Sequence, residues 1–498
     1  MKFEYQKNES IPSLSWLAEI NESRGVIRVV CGAKVECSER FFVSGVWDGP
    51  FEKGEFDTAL SFHGTGGILK EDSVIFATPN HLQESLYSLT HEGDFVISNS
   101  LPFLLAYTGH QLDVDYYNYE YDLNSIFFGC KRCAKELRIK GEVVRMHRYC
   151  NLKVSGSLSW EELPKPAKVE ISTFEDYKSK ITETLRRIVD NASDAKRKCQ
   201  YKLVTTISRG YDASATSALV HDLGCDTALT FSSPEKYVDD SGVEVARLLG
   251  YKNIIEGNGS AYMSNTALWE AESASSGDVG CLVAFNTFED KYKDSLLFLG
   301  LKGDSIWGKA EHLANRDFDF IKMSIAAEQN PEHYLRNNTI AISVPLVLGY
   351  EWPSIYKINN SSEMAQYSVG GEYDRPIPRR IVEEKGVPRK AFGFKKRGAG
   401  FTYRFQPSLH SVRSKMSSTS YHSLLNFSKV LKRNPLKYYA HVCKYYMVNY
   451  PIYFNFVMQR LHLPFQVKGS SKYISSPISS LLILWGMDEM VKRYKKAL

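Results

Sequence analysis

The chain is poor in cysteine, with nine in 498 residues, and it opens on MKFEYQKNES rather than on a basic-then-apolar leader. That combination speaks against a disulfide-stapled secreted protein, and a reducing cytoplasm is the expected compartment. Long apolar runs are missing too. The longest near the end, Leu481 to Met487, falls far short of the ~20 residues that cross a bilayer, so no integral membrane segment is expected. Neither sign of charge dominates: 62 Lys+Arg face 57 Asp+Glu, a net of +5, and composition does not call for nucleic acid as a partner. Internal repeats and low-complexity tracts are absent as well, which excludes solenoids and disordered tails. What is present, 43% hydrophobic and 13% aromatic residues, describes a large folded protein, and about 100–200 residues per domain predicts two to four domains.

Residues 1 to about 165 read as short strands broken by Gly, Asn and Asp: GVIRVVCG, RFFVSGVWDG, DSVIFATP, GDFVISNS and GEVVRMHRYCNLKVSG. Alternation between turns predicts antiparallel sheet. Two prolines in ELPKPAKVE precede a helix start, which places a boundary near Leu163 and a first domain over 1–163. From there strands and helices alternate: a helix over Ser172 to Ala192, strand YKLVTTI, a helix over Asp212 to Leu223, strand TALTFSS, a helix over Ser241 to Leu249, then strands NIIEG and SLLFLGL. That spacing predicts an α/β fold with a doubly wound, mostly parallel sheet over 164–405. Residues 406–498 are basic, aromatic and helical in pattern, with no strand signal.

Chemistry concentrates at two strand ends. After YKLVTTI comes Ser208-Arg209-Gly210-Tyr211-Asp212-Ala213-Ser214 and then an amphipathic helix. A small-residue turn there aims backbone N–H groups and a helix N-terminus at one spot, which suits an anion. Asp212 would repel phosphate unless a cation such as Mg²⁺ lay between them. A plain strand-turn-helix connection with an Asp near the cap explains the same residues. LLFLGLKGDSIWG likewise ends an apolar strand in Gly303-Asp304-Ser305. Ligands of open α/β sheets collect outside such carboxyl ends, so Asp212 and Asp304 could share one or two Mg²⁺ ions; Asp304-Ser305 as a helix cap is the alternative.

At these motifs the chain resembles the asparagine-synthase-like family of ATP pyrophosphatases, whose phosphate loop reads Ser-Gly-Gly-x-Asp-Ser and whose later strand ends in Gly-Asp-Gly/Ala before an aromatic-Gly pair. Ser208, Gly210, Asp212 and Ser214 follow the first pattern, and Gly303, Asp304 and Trp307-Gly308 the second. Val238-Asp239-Asp240 before GVEVARLLGYKNIIEG is similar to the family's acidic helix start, and VPRKAFGFKKRGAGF to its lysine segment, with Lys395 or Lys396 in the lysine's place. The four pieces keep order and spacing over roughly residues 170–405. The resemblance implies an adenine-nucleotide-alpha-hydrolase-like sheet that binds ATP through Ser208, Arg209, Gly210, Tyr211, Asp212, Ser214, Ser232 and Gly303. It implies Mg²⁺ on Asp212 and Asp304, and catalysis by these two with Lys395 or Lys396. The implied reaction is adenylation of a carboxylate, with pyrophosphate release, followed by attack of an amine on the acyl-adenylate. Adenylation supplies the leaving group that a carboxylate lacks, and an aimed lysine would offset charge developing at the α-phosphate.

The departures are specific. Arg209 stands where the family's loop has glycine, and Ala213 where it has serine. The family's Glu-x-Arg-x-Pro-Phe segment has its counterpart in Ala341-Ile342-Ser343-Val344-Pro345-Leu346, without the Glu or the Arg. The first domain resembles the family's glutamine amidotransferase half, yet the chain begins Met1-Lys2-Phe3 and its first cysteine is Cys31, so no glutaminase activity is expected. Ammonia or an amine must come from a separate source, and the carboxylate from a small molecule or a glycan precursor. The rivals are a superfamily enzyme that adenylates a tRNA or small molecule before sulfur or nitrogen transfer, and a scaffold that no longer turns ATP over.

Three further features stay open. Cys130, Cys133, His147 and Cys150 have C-x2-C-x13-H-x2-C spacing suited to zinc, although His147 and Cys150 fall on opposite faces of a straight strand unless the chain bends there. Arg375, Arg379 and Arg380 in YDRPIPRR suit phosphates or an acidic substrate, or equally a solvated helix start. The carboxyl-terminal helices, rich in aromatics and bases, are expected to pack on the synthase-like region with a basic face outward; a membrane or nucleic-acid surface is the alternative.

Overall fold

The computed structural model describes the chain except residues 22–24, 82, 130–131, 167–168, 233–239, 281, 310–330, 372, 395–402, 404–405, 407 and 464–473. Its first 164 residues form two stacked sheets, one of seven and one of six strands. Pairing is antiparallel throughout except where Lys2–Lys7 lies parallel to Val26–Cys31. The layer between the sheets is filled by inward-facing residues of both, among them Trp16, Ile20, Phe42, Phe76, Phe95 and Leu152, as period-2 side-chain alternation requires.

The expected continuous strand GEVVRMHRYCNLKVSG is two strands in two different sheets. Glu142–His147 belongs to the seven-stranded sheet and Cys150–Ser155 to the six-stranded one. The corner between them turns at Tyr149, whose φ is 52°.

The helix Phe174–Ala192 follows. Thr173 caps it by accepting from the Asp176 N–H, Glu175 and Asp176 complement its positive end, and Phe174, Tyr177, Ile181, Leu185 and Ile188 bury one stripe. Beyond it lies a five-stranded sheet in the order Asn253–Asn258, Thr227–Ser232, Lys202–Thr206, Ser295–Leu299, Thr339–Ser343, with every neighbouring pair parallel. Winding therefore runs outward one way from Lys202–Thr206 for three strands, then restarts on its other side. This is an α/β protein with a largely antiparallel region and a parallel sheet with helices, as the alternation of elements predicts.

The carboxyl-terminal helix Pro477–Ala497 packs on the synthase-like region, as expected, and also on the first region. Its partners are the helices Trp269–Ser275 and Leu101–Thr108, and so it joins both regions. Trp485 and Tyr494 are fully buried, the latter stacked on Phe103 at 4.8 Å. The exposed side of the preceding helix, Pro435–Arg460, carries Lys437, Lys444 and Arg460 together with large apolar side chains. No helix among the described residues is long and apolar enough to cross a membrane.

Candidate nucleotide site

The strands Lys202–Thr206 and Ser295–Leu299 lie side by side at the point where the strand order reverses. In open α/β sheets the crevice outside the carboxyl ends at such a switch point is where ligands bind. The two motif turns meet there. A Cβ on Gly300 would sit 2.6 Å from the Asp212 carbonyl carbon and 2.7 Å from the Ala213 nitrogen, and one on Gly303 would sit 2.6 Å from the Asp212 Cβ, Cγ and Oδ1. Glycine at both positions is what allows the second turn to lie against the start of the helix Tyr211–His221.

Asp212 is not the anion without a basic partner that its local sequence shows. Both its oxygens accept from one Arg375 nitrogen, at 2.5 and 2.6 Å. Arg375 is itself 6% exposed and lies over the Tyr373 ring at 4.9 Å. Burial disfavours its charge, but Asp212 and, to a smaller degree, Asp304 outweigh that and raise its pKa. The guanidinium is bonded to Asp212 and lies within the field of Asp304. Asp304 lies in the first turn of a one-turn helix, Gly303–Ile306, and does not cap it; the residue at the cap position is Lys302, at φ 65°.

The phosphate-loop N–H groups are largely used within the protein. That of Arg209 donates to the Asp240 carbonyl (3.3 Å), that of Gly210 to the Ser208 hydroxyl (3.0 Å), and that of Tyr211 to the Tyr373 hydroxyl (3.4 Å). Three of the amides expected to converge on one spot, those of Arg209, Gly210 and Tyr211, therefore already have partners within the protein. Ser214 donates to the Ser208 carbonyl (2.8 Å), and the Arg209 guanidinium pairs with Glu244 (2.6 Å). Tyr211 is buried under Phe392, and its hydroxyl accepts from Arg379. Burial raises its pKa. Burial, then Asp212, pushes the Tyr373 phenol up to about 12.

Ser232 ends its strand and donates to the Gly257 carbonyl (3.2 Å), which ties it to the neighbouring strand. Val238 and Asp239 lie outside the described residues, as do Lys395 and Lys396. The approach to the lysine pair is visible: the Gly393 N–H donates to the Arg209 carbonyl at 2.8 Å, so the chain passes the phosphate loop two residues before Lys395. Ser343, in the segment lacking Glu and Arg, donates to the Leu301 carbonyl at 2.7 Å, beside the second turn.

The solvated-helix reading of the arginine run does not hold. Arg379 is 2% exposed, and Arg380 lies over Phe174 at 3.9 Å while pairing with Glu384 at 2.7 Å. Local sequence marks Arg375 for phosphates or an acidic substrate but not for its pairing with Asp212, and it leaves Tyr373 without a role. The partner of Arg375 is 163 positions away, and no spacing rule reaches that far. No protein-family model matches the chain, and no curated protein matches it.

Proposed function

We propose that the chain is an ATP-dependent amide-forming ligase that adenylates a substrate carboxylate and releases AMP and pyrophosphate. A single observation carries the reading: two separate Gly/Asp turns abut at the switch point of a parallel sheet, with Asp212 between them. The family resemblance of those turns, and of the lysine segment arriving beside Arg209, supports an adenine-nucleotide-alpha-hydrolase-like sheet and ATP as its nucleotide. The residues fit a divalent cation in part. Carboxylate oxygens of Asp212 and Asp304 are the hard donors that Mg²⁺ takes, yet the cation on Asp212 here is the Arg375 guanidinium. In this reading Arg375 faces the phosphates, and Mg²⁺ arrives with the nucleotide as part of the substrate. The acyl acceptor is ammonia or an amine supplied from elsewhere, and the acid is a small molecule or glycan precursor, as in surface-polysaccharide biosynthesis.

The partnered amides of Arg209, Gly210 and Tyr211 favour a second reading, a scaffold that holds ATP without turnover, because those amides must let go of their partners to take a phosphate. Pyrophosphate release from ATP and Mg²⁺ with a panel of carboxylates separates the two. The ligase reading requires carboxylate-dependent release that Asp212→Asn and Asp304→Asn each abolish. Nucleotide binding without release across the panel supports the scaffold, and absence of binding removes both.

A further inference from the structure

The corner between the two amino-terminal sheets brings together a donor set that the straight-strand reading excludes. Because the chain turns at Tyr149, His147 and Cys150 point to a common spot, and the strand Trp160–Pro164 adds Glu162. One donor atom from each lies within 4.8 Å of the others. His147 is 1% exposed, and its Nε2 shares a hydrogen bond with the Ser88 hydroxyl at 2.8 Å. Its Nδ1 faces Glu162 Oε1 at 3.1 Å, while Glu162 Oε2 accepts from Lys135 at 2.8 Å. Two of the three candidate donors, His147 and Glu162, therefore have a neighbour that orients them. Ser88 holds the far ring nitrogen, and Lys135 holds the far carboxylate oxygen, the outer contacts that metal-ligating His and carboxylate groups ordinarily have.

The geometry points to a zinc site formed by His147 Nδ1, Cys150 Sγ and Glu162 Oε1. Nitrogen, sulfur and a single carboxylate oxygen form a mixed set that suits Zn²⁺ rather than Ca²⁺ or Mg²⁺. Bonds of about 2.0–2.3 Å put tetrahedral donors about 3–4 Å apart, so closure needs movements of about 1 Å. Cys133 lies outside this cluster, and Cys130 lies outside the described residues. The full chain, equilibrated with Zn²⁺ and desalted, should retain about one zinc per molecule. Its Co²⁺ form should show sulfur-to-metal charge-transfer absorption. Cys150→Ser and His147→Asn should each lose the metal, and Cys133→Ser should keep it, with circular dichroism reporting the fold. A parent chain that retains no zinc, a Co²⁺ form without sulfur ligation, or retention in folded Cys150→Ser overturns the assignment. If the variants do not fold, the parent's zinc content and Co²⁺ spectrum decide alone.

A second surface stands on separate observations. The 26-residue helix Pro435–Arg460 buries His441 and Tyr445 against the body. On its opposite face Leu436, Tyr439, Tyr446, Met447, Tyr450 and Val457, spaced mostly three or seven residues apart, are 48–82% exposed. At about 1.5 Å per residue this stripe is about 30 Å long. The helix contains no Asp or Glu and carries Lys437, Lys444 and Arg460. Two such helices face to face would set cations against cations, with no acid to pair. We infer that the stripe lies on an anionic membrane surface, with its tyrosines at the headgroup level and its cations toward lipid phosphates. The full chain should co-sediment with phosphatidylserine-containing vesicles, less with phosphatidylcholine alone, and Tyr446→Glu/Met447→Glu should lower the bound fraction at least tenfold. No binding to the anionic vesicles, or a dimer in light scattering that the same variant dissociates, overturns this inference.

Discussion

Substituting one methyl group at Gly303 tests whether the two strand-end turns meet as described. A Cβ there falls 2.6 Å from three Asp212 side-chain atoms, and Asp212 cannot swing aside without leaving Arg375, which holds it at 2.5 and 2.6 Å. Ordinary contact needs a displacement of about 1 Å, and overpacking of that kind costs about 1–3 kcal/mol. Gly210 makes the control. Its φ of −75° and ψ of 156° suit alanine, and its Cβ would meet the Ser208 hydroxyl at 3.2 Å and the Tyr373 hydroxyl at 3.5 Å. A rotatable hydroxyl gives way easily, and reduced unfolded-chain entropy offsets the contact, so Gly210→Ala should change stability by less than about 1 kcal/mol. Hydrogen exchange read by mass spectrometry on peptides covering 203–221 and 296–307 measures local opening in the full chain. Gly303→Ala should speed exchange there by about five- to a hundredfold, and Gly210→Ala should change it little. Parent-like protection in Gly303→Ala, with lost protection in Gly210→Ala, would refute the apposition of the turns.

Burial raises the Glu332 carboxyl from 4.5 to about 7, so the folded state holds a proton that the unfolded state releases, and stability falls as pH rises between those values. Glu332→Gln should remove this slope, gaining on the parent by up to about 3 kcal/mol between pH 4 and 8 in denaturant titrations; parallel profiles would contradict it. Lys165 has the opposite sign. Burial lowers its pKa from 10.5 to about 7 while it donates to Asn151 at 2.7 Å, so the parent gains stability from pH 7 to 10. Lys165→Met should lose that gain, and an unchanged slope would show that Lys165 is charged in the fold. Asp212→Asn should destabilise by about 1–3 kcal/mol, because the buried Arg375 loses the one carboxylate bonded to it. A double-mutant cycle with Arg375→Met should give coupling of at least about 0.5 kcal/mol, and additivity would dissolve the pair. In the ligase reading one of Lys395→Ala and Lys396→Ala, but not both, lowers turnover about a hundred- to a thousandfold; near-parental turnover in both removes the lysine from the chemistry.

By itself the sequence determined what local patterns determine. The Thr173 cap and the 3–4 spacing of Phe174, Tyr177, Ile181 and Leu185 define a helix that the structure begins within two residues of the expected start. The apolar runs LVTT and SLLFL define strands, and turn residues mark where each ends. Such signals need only near neighbours. The strand Thr339–Ser343 escaped because its short apolar run resembles the segments around it, and the corner before Cys150–Ser155 escaped because a turn at a non-glycine residue carries no composition cue. Tertiary structure alone decided which strands pair, and hence that Lys202–Thr206 and Ser295–Leu299 are neighbours although helices and two other strands separate them in the chain. It also decided that Arg375 reaches Asp212 across 163 residues, that Glu162 joins His147 and Cys150, and that one apolar helix is buried while another faces outward. These outcomes depend on the summed burial of distant surfaces and on the electrostatics of groups brought together by it, and neither quantity is defined until the chain is folded.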